Sequence, residues 1–181
     1  MSSLVTAPIL ETARLRLRGH GLDDFPRSAA MWADPVVVRY IRPTPFTEEE
    51  TWARVLRYVG HWALLGYGFW VIEDKLTGEF LGEAGFLNFH RDTEPPAVIS
   101  VPEAGWAFRA AAHGRGYASE AVAAIVAWGD SQFDTATVCI IEQTNVASIR
   151  VAEKNGYREK QVITYKGNEL MLYGRERGER I

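Results

Sequence analysis

The chain has one cysteine, Cys139, among 181 residues, so no disulfide can close within it, and this usage suits a reducing compartment. It also has no apolar run long enough for a bilayer. The longest, Trp62 to Ile72, is broken by Gly66 and Gly68, whereas a core of roughly 30 Å needs about 20 residues. Met1-Ser2-Ser3-Leu4-Val5 has no basic region ahead of an apolar stretch, so no signal peptide is read there and a cytoplasmic location is expected. Charge of one sign is scarce: the net value is −3 and the basic residues are scattered rather than striped, which speaks against nucleic acid as a partner. His20, His61, His90 and His113 lack metal-ligand spacing, so no metal is expected. Repeats, low-complexity stretches and linker-like segments are absent too, and residues 1–181 read as a single domain.

What is present is enough apolar material for a core. Hydrophobic residues make up 47% and charged residues 24%, with six Trp, seven Tyr and eight Phe, which excludes disorder of the whole. A chain of this size buries roughly 70% of its unfolded surface, so the core needs no staple.

Thr12 to Arg18 alternates Leu15 and Leu17 with arginines, the period of a half-buried strand. Asp23 or Asp24 can cap a helix running through Ala29, Ala30 and Trp32, after which Asp34-Pro35 forces a bend. Thr47-Glu48-Glu49-Glu50 is a capping box, and the helix behind it is expected to bury Trp52, Val55, Leu56, Val59 and Trp62 and to end near Gly66 to Gly68. Strands follow over Phe69 to Glu73, Glu79 to Phe89 and Val98 to Phe108. Gly114-Arg115-Gly116 then leads into a helix with Tyr117, Ala118, Ala121, Val122, Ile125 and Val126 inward. Ala136 to Ile141 is a strand, Asn145 to Lys154 a short helix, and Tyr157 to Tyr165 with Glu169 to Tyr173 a hairpin about Lys166-Gly167-Asn168. The order is βααβββαβαββ, a mixed α/β (α+β) sheet with helices on both faces.

A strand that feeds a glycine-punctuated loop at a helix start presents free amides along a positive dipole end, an arrangement suited to phosphate. Here that segment is His113-Gly114-Arg115-Gly116-Tyr117-Ala118; the alternative is that the glycines only shape a tight turn. The P-loop pattern is absent, and Ser119 breaks the dinucleotide fingerprint. A second segment, Asn145 to Tyr157, combines helix punctuation at Asn145 and Gly156 with Ser148 one turn in, one strand after the glycine loop.

Together these residues resemble the GNAT N-acetyltransferase superfamily. The glycine loop is similar to its pyrophosphate motif, and Asn145 to Tyr157 resembles the Asn-x-x-Ser…Lys-Asn-Gly-Phe/Tyr segment of the RimJ/RimL-like branch, as Thr12-x-Arg14-Leu15-x-Leu17-Arg18 resembles its first strand. One departure stands out, Ala111 at a position that carries Gln or Arg in the motif.

The resemblance implies a GNAT-like, mostly antiparallel sheet and acetyl-CoA as co-substrate. It implies backbone pairing of the pantetheine with Ala107, Phe108 and Arg109, and pyrophosphate contacts at the amides of His113, Gly114, Arg115, Gly116, Tyr117 and Ala118. Asn145 would bond the pantetheine and Lys154 approach the phosphates; Ser148 would donate to the leaving sulfur. Glu103 and Glu83 are the candidate bases for removing the proton of an ammonium acceptor. Tyr157 is expected to pack, and Cys139 to be a small core residue.

The expected reaction is direct acetyl transfer to a primary amine, a peptide N-terminus or a small molecule. Residues 22 to 65 and 162 to 173 would shape the acceptor groove, and a homodimer is left open. The alternatives are a non-catalytic acyl-CoA binding or sensing module and an enzyme that uses a longer acyl-CoA.

Overall fold

The computed structural model describes residues 6–94 and 101–178. Its strands are β1 (Leu10–Glu11), β2 (Leu15–Arg18), β3 (Phe69–Asp74), β4 (Phe80–Leu87), β5 (Glu103–Phe108), β6 (Thr137–Ile141), β7 (Arg158–Tyr165) and β8 (Asn168–Arg175). Helices α1 (Phe25–Trp32), α2 (Pro35–Val38) and α3 (Glu48–Leu65) lie between β2 and β3; α4 (Tyr117–Gln132) joins β5 to β6 and α5 (Val146–Lys154) joins β6 to β7. All eight strands share one sheet in the order β1-β2-β3-β4-β5-β6-β8-β7.

Every pairing is antiparallel except that of β5 with β6. These two parallel strands are in register only at Glu103 and Val138, and the ladder ends there. Toward their C-terminal ends they leave a gap in the middle of the sheet.

Alternation along the strands separates two packed layers. On one face Trp70, Ile72, Ala84, Phe86, Ala104, Cys139 and Tyr173 meet Tyr117, Ala121, Val122, Ile125 and Val126 of α4. On the other, Val71, Phe80 and Ala107 pack against Met31 and Trp32 of α1 and Val38 of α2, while Phe69 and Leu87 hold Tyr58 of α3. Tyr157 is buried and packs as expected, its hydroxyl 2.9 Å from Thr137 Oγ1. Burial pushes the Cys139 thiol well above its ordinary pKa, which leaves it a core residue.

Several expectations need correction. The inward face of α3 carries Thr51, Val55, Tyr58 and Trp62, whereas Trp52, Leu56 and Val59 are exposed. The helix is turned because Tyr58 can stack on Phe69 at 4.6 Å with its hydroxyl bonded by Arg54, a combination that apolar spacing alone does not reveal. Asp24 occupies the start of α1 without capping it: its carboxylate accepts from Arg18, Arg27 and the amide of Gly21. The bend expected at Asp34-Pro35 is present, and Asp34 also caps α2 there by accepting from the amide of Val36. β2 begins at Leu15, because Thr12 and Leu15 close a turn on themselves. The strand placed at Val98 begins at Glu103; residues 95–100 lie outside the described residues.

Candidate active site

The loop after β5 bends back to α4 through two glycines, Gly114 at φ 72° and Gly116 at φ 78°, a left-handed conformation that residues with a Cβ adopt only under strain. With the chain so turned, the amides of Gly114, Arg115, Gly116 and Tyr117 have no backbone acceptor among the described residues. They gather at the N-terminus of a sixteen-residue helix, where the partial positive charge is greatest.

Sequence reasoning missed what braces this loop. Arg14, just before β2, donates to the carbonyl of Arg115 at 2.9 Å and to Glu120 of α4 at 2.6 Å, and lies 4.6 Å over the Tyr117 ring. Thr12 and the Arg14 amide bond the same carboxylate. The first strand and the glycine loop are distant in sequence, and only the sheet order reveals the contact.

The gap between β5 and β6 adjoins this loop. The amide of Arg109 donates to Leu81 of the β4 side, while Val138 donates to the carbonyl of Pro102. Strand alternation therefore turns the backbone of Trp106 and Phe108 into the gap and that of Ala107 and Arg109 toward β4. Of the backbone groups expected to meet the pantetheine, those of Ala107 and Arg109 thus face β4 and that of Phe108 faces the gap. Phe108 retains its amide, its carbonyl being taken by the imidazole of His113 at 2.8 Å. Across the gap, the same alternation presents the backbone of Ile140.

At the open end stands the start of α5. Asn145 caps it by accepting from the amide of Ser148 at 3.2 Å, which leaves the Asn145 amide hydrogens free. The Ser148 hydroxyl has no partner among the described residues. Ala118 is in the first turn of α4. Lys154 is exposed at the far end of α5, about 13 Å of helix from Asn145.

Both candidate bases are on the sheet face opposite α4. Glu83, opposite Ala107 in the β4–β5 register, is fully buried. It accepts from Ser28 Oγ at 2.5 Å and Trp32 Nε1 at 2.8 Å, with His20 Nε2 at 3.4 Å. Burial alone would raise its pKa, but these donors hold it below the ordinary carboxylate value. Glu103, where the β5–β6 ladder ends, is clasped by Arg91 through two bonds of 2.8 Å. The structure thus brings each carboxylate to the same face but occupies both; His20, Ser28, Trp32 and Arg91 were not anticipated. Among the described residues no group of His, Cys, Asp and Glu could hold a metal ion, and no helix is long and apolar enough to cross a membrane.

The gap, the free amides and the dipole fit a thioester cofactor with a pantetheine arm and a pyrophosphate. Residues 14–158 match the family model described as an acetyltransferase (GNAT) domain. YkkB, an uncharacterized protein of Bacillus subtilis, is 36% identical over 115 residues, which takes in 61% of this chain and 63% of that relative, less than two thirds of its length. A solved chain described as a GnaT-family acetyltransferase from Bordetella pertussis superposes with a TM-score of 0.81 at 31% identity, covering 93% of this chain and 99% of that one. RimL, a ribosomal L7/L12 α-N-protein acetyltransferase solved with coenzyme A, shares the fold at a TM-score of 0.75 and 17% identity, over 96% of this chain and 100% of that one. With its family model spanning most of the sequence and its parallel strands parted beside a glycine loop, this chain belongs to the GNAT acetyltransferase family and is an acyltransferase.

Proposed function

We propose that the chain moves the acetyl group of acetyl-CoA directly onto a primary amine in the cytoplasm, the amine being that of a small molecule or a peptide N-terminus, as in the RimJ/RimL-like branch. The observation that carries this is the gap between β5 and β6, which opens beside four amides without backbone acceptors.

Acetyl-CoA supplies an activated carbonyl and a thiolate leaving group. The backbone of Trp106 and Phe108 lines the gap like an unpaired strand edge and aligns the pantetheine. Asn145 donates to the same arm, and the amides from Gly114 to Ala118 receive the pyrophosphate, while the expected contact at His113 is already engaged, its amide donating to the Ala110 carbonyl at 3.1 Å. Lys154 adds at most a distant cation.

An ammonium cannot attack, so one proton must leave before nitrogen bonds to the carbonyl carbon and the carbon–sulfur bond breaks. Glu83 takes that proton through a water, its carboxylate being bonded by the neutral Ser28 and Trp32 with His20 at 3.4 Å, and by no arginine. Glu103 is the second choice, since both of its oxygens are taken by Arg91 in two charge-assisted bonds. The Ser148 hydroxyl donates to the departing sulfur, which finally keeps a proton as the free thiol.

The test is calorimetric titration with acetyl-CoA, followed by thiol release with a panel of amines and N-terminal peptides. Saturable binding and amine-dependent thiol release support the reading. No binding overturns it, and binding with no turnover on any amine leaves only the sensing module.

A further inference from the structure

Three arginines, Arg54, Arg57 and Arg91, gather on the face of the sheet that carries Glu83 and Glu103, and only Arg91 has a carboxylate. Arg54 and Arg57 are three residues apart on α3 and so share a helix face. The Arg54 guanidinium lies between Trp32 at 4.1 Å and Phe46 at 4.4 Å, and its Nη1 donates to the Tyr58 hydroxyl at 3.1 Å. Its Nε is buried with no partner. Trp32 donates to Glu83, and the Tyr58 ring is 5.1 Å from that of His20, so one side chain separates Arg54 from the Glu83 cluster on either path. Arg57 and Arg91 approach the Phe89 ring at 5.4 and 4.0 Å, and Arg91 also covers Tyr165 at 4.7 Å.

Neither Arg54 nor Arg57 meets an Asp or Glu among the described residues. Their charges oppose each other: burial, then the nearby Arg54, lowers the Arg57 pKa from its ordinary value. A buried N–H without an acceptor, as at Arg54 Nε, is costly, and two guanidinium groups without a carboxylate among the described residues, one held between aromatic rings and the other exposed beside Phe89, form a cationic surface. Such a surface repels a polyamine and favours a planar anion that two forks can grip.

We propose that Arg54 and Arg57 bind a carboxylate or phosphoryl group on the acceptor itself, so that the substrate is an amine carrying an anionic group within the same molecule. This rests on the acetyl transfer proposed above and names its acceptor class. The anion anchors the acceptor, and the same cations favour the neutral form of its amine, easing the proton loss that Glu83 completes.

The experiment measures acetyl-CoA binding by calorimetry and then kcat/KM by thiol release. The acceptors are β-alanine, L-glutamate and O-phosphoethanolamine with their uncharged amide or alcohol counterparts, paired Asp- and Asn-containing N-terminal tripeptides, and spermidine. The free acids and the Asp peptides distinguish a small molecule from a peptide as the source of the anion. The anionic member of at least one pair is expected to exceed its neutral counterpart by about 10- to 100-fold, the worth of one charge-assisted contact. In Arg57→Gln the ratio should fall toward unity through KM, with an unchanged thermal midpoint; Arg54→Lys, which keeps the charge but not the fork, should fall between. Equal use of neutral acceptors, preference for spermidine, or a ratio that survives Arg57→Gln overturns the inference while leaving acetyl transfer standing. Failure to bind acetyl-CoA removes the underlying reading instead.

Discussion

Replacing Gly114 by alanine separates the cost of backbone strain from the loss of a cofactor contact. Gly114 has φ +72° and nothing within 4 Å of an added Cβ; Gly78, in the β3–β4 turn, has φ +71° and the same open space. Both alanine variants therefore pay the left-handed penalty without a clash, about 1 to 2 kcal/mol each. For a chain of this length that lowers the thermal midpoint by roughly 2 to 8 °C. At Gly114 the amides of the strained residue and of Arg115 have no acceptor among the described residues, whereas Gly78 donates to the Asp74 carbonyl and its neighbours Thr77 and Glu79 donate to the side chains of Asp74 and Thr77. If the loop relaxes, one charge-assisted bond to phosphate is lost, about 1.5 to 3 kcal/mol, which weakens acetyl-CoA binding by about 10- to 100-fold. Calorimetry and thermal melts on both variants check this. A Gly114→Ala protein destabilised like Gly78→Ala but binding acetyl-CoA like the parent refutes the placement of the phosphates.

Four further outcomes follow from the site and its supports. Ser148→Ala should lower kcat by about 10- to 100-fold with little change in acetyl-CoA affinity, measured by steady-state kinetics, since the free hydroxyl acts only on the leaving sulfur. Glu83→Gln should lower kcat/KM by about 100-fold or more and remove the acidic limb of the pH–rate profile; an unchanged profile assigns the proton to Glu103 or to solvent. Asp24 and Glu83 both have folded-state pKa values below their ordinary ones; for each, burial acts upward and the donors, Arg18 foremost at Asp24 and His20 foremost at Glu83, outweigh it. Their stabilisation is thus present above the unfolded values near 3.8 and 4.5 and is lost as pH falls through the lower folded values, which denaturant titration from pH 7 to pH 3 would follow. Asp24→Asn should cost about 3 kcal/mol at pH 7 and flatten that acid dependence; the lower end of the range applies because Arg18 keeps its bond to Glu73.

The parts of the fold that local chemistry dictates could be read from the chain. The Thr47 capping box, the Asn145 cap, the Gly114 and Gly116 turn and the Lys166-Gly167 hairpin are each set by a few adjacent residues, and the structure has them all. Tyr58 was not legible on the inner face of α3, because stacking on Phe69 depends on a strand that begins eleven residues later. The site divides the same way. Glycine spacing marked the loop before α4, but which β5 backbone groups face the gap follows from the register with β4, which turns Trp106 into it and Ala107 and Arg109 away. Glu83 could be named as a carboxylate on a central strand. Its ring of His20, Ser28 and Trp32 comes from two segments, the turn after β2 and α1, up to 63 residues away, and nothing local announces it.

The most direct test of the cofactor geometry is amide chemical-shift mapping of the protein during titration with coenzyme A. The largest shifts should fall on Gly114, Arg115, Gly116, Tyr117, Trp106, Phe108 and Ile140. Shifts confined to other segments, or none at saturating coenzyme A, would contradict a cofactor seated between β5 and β6.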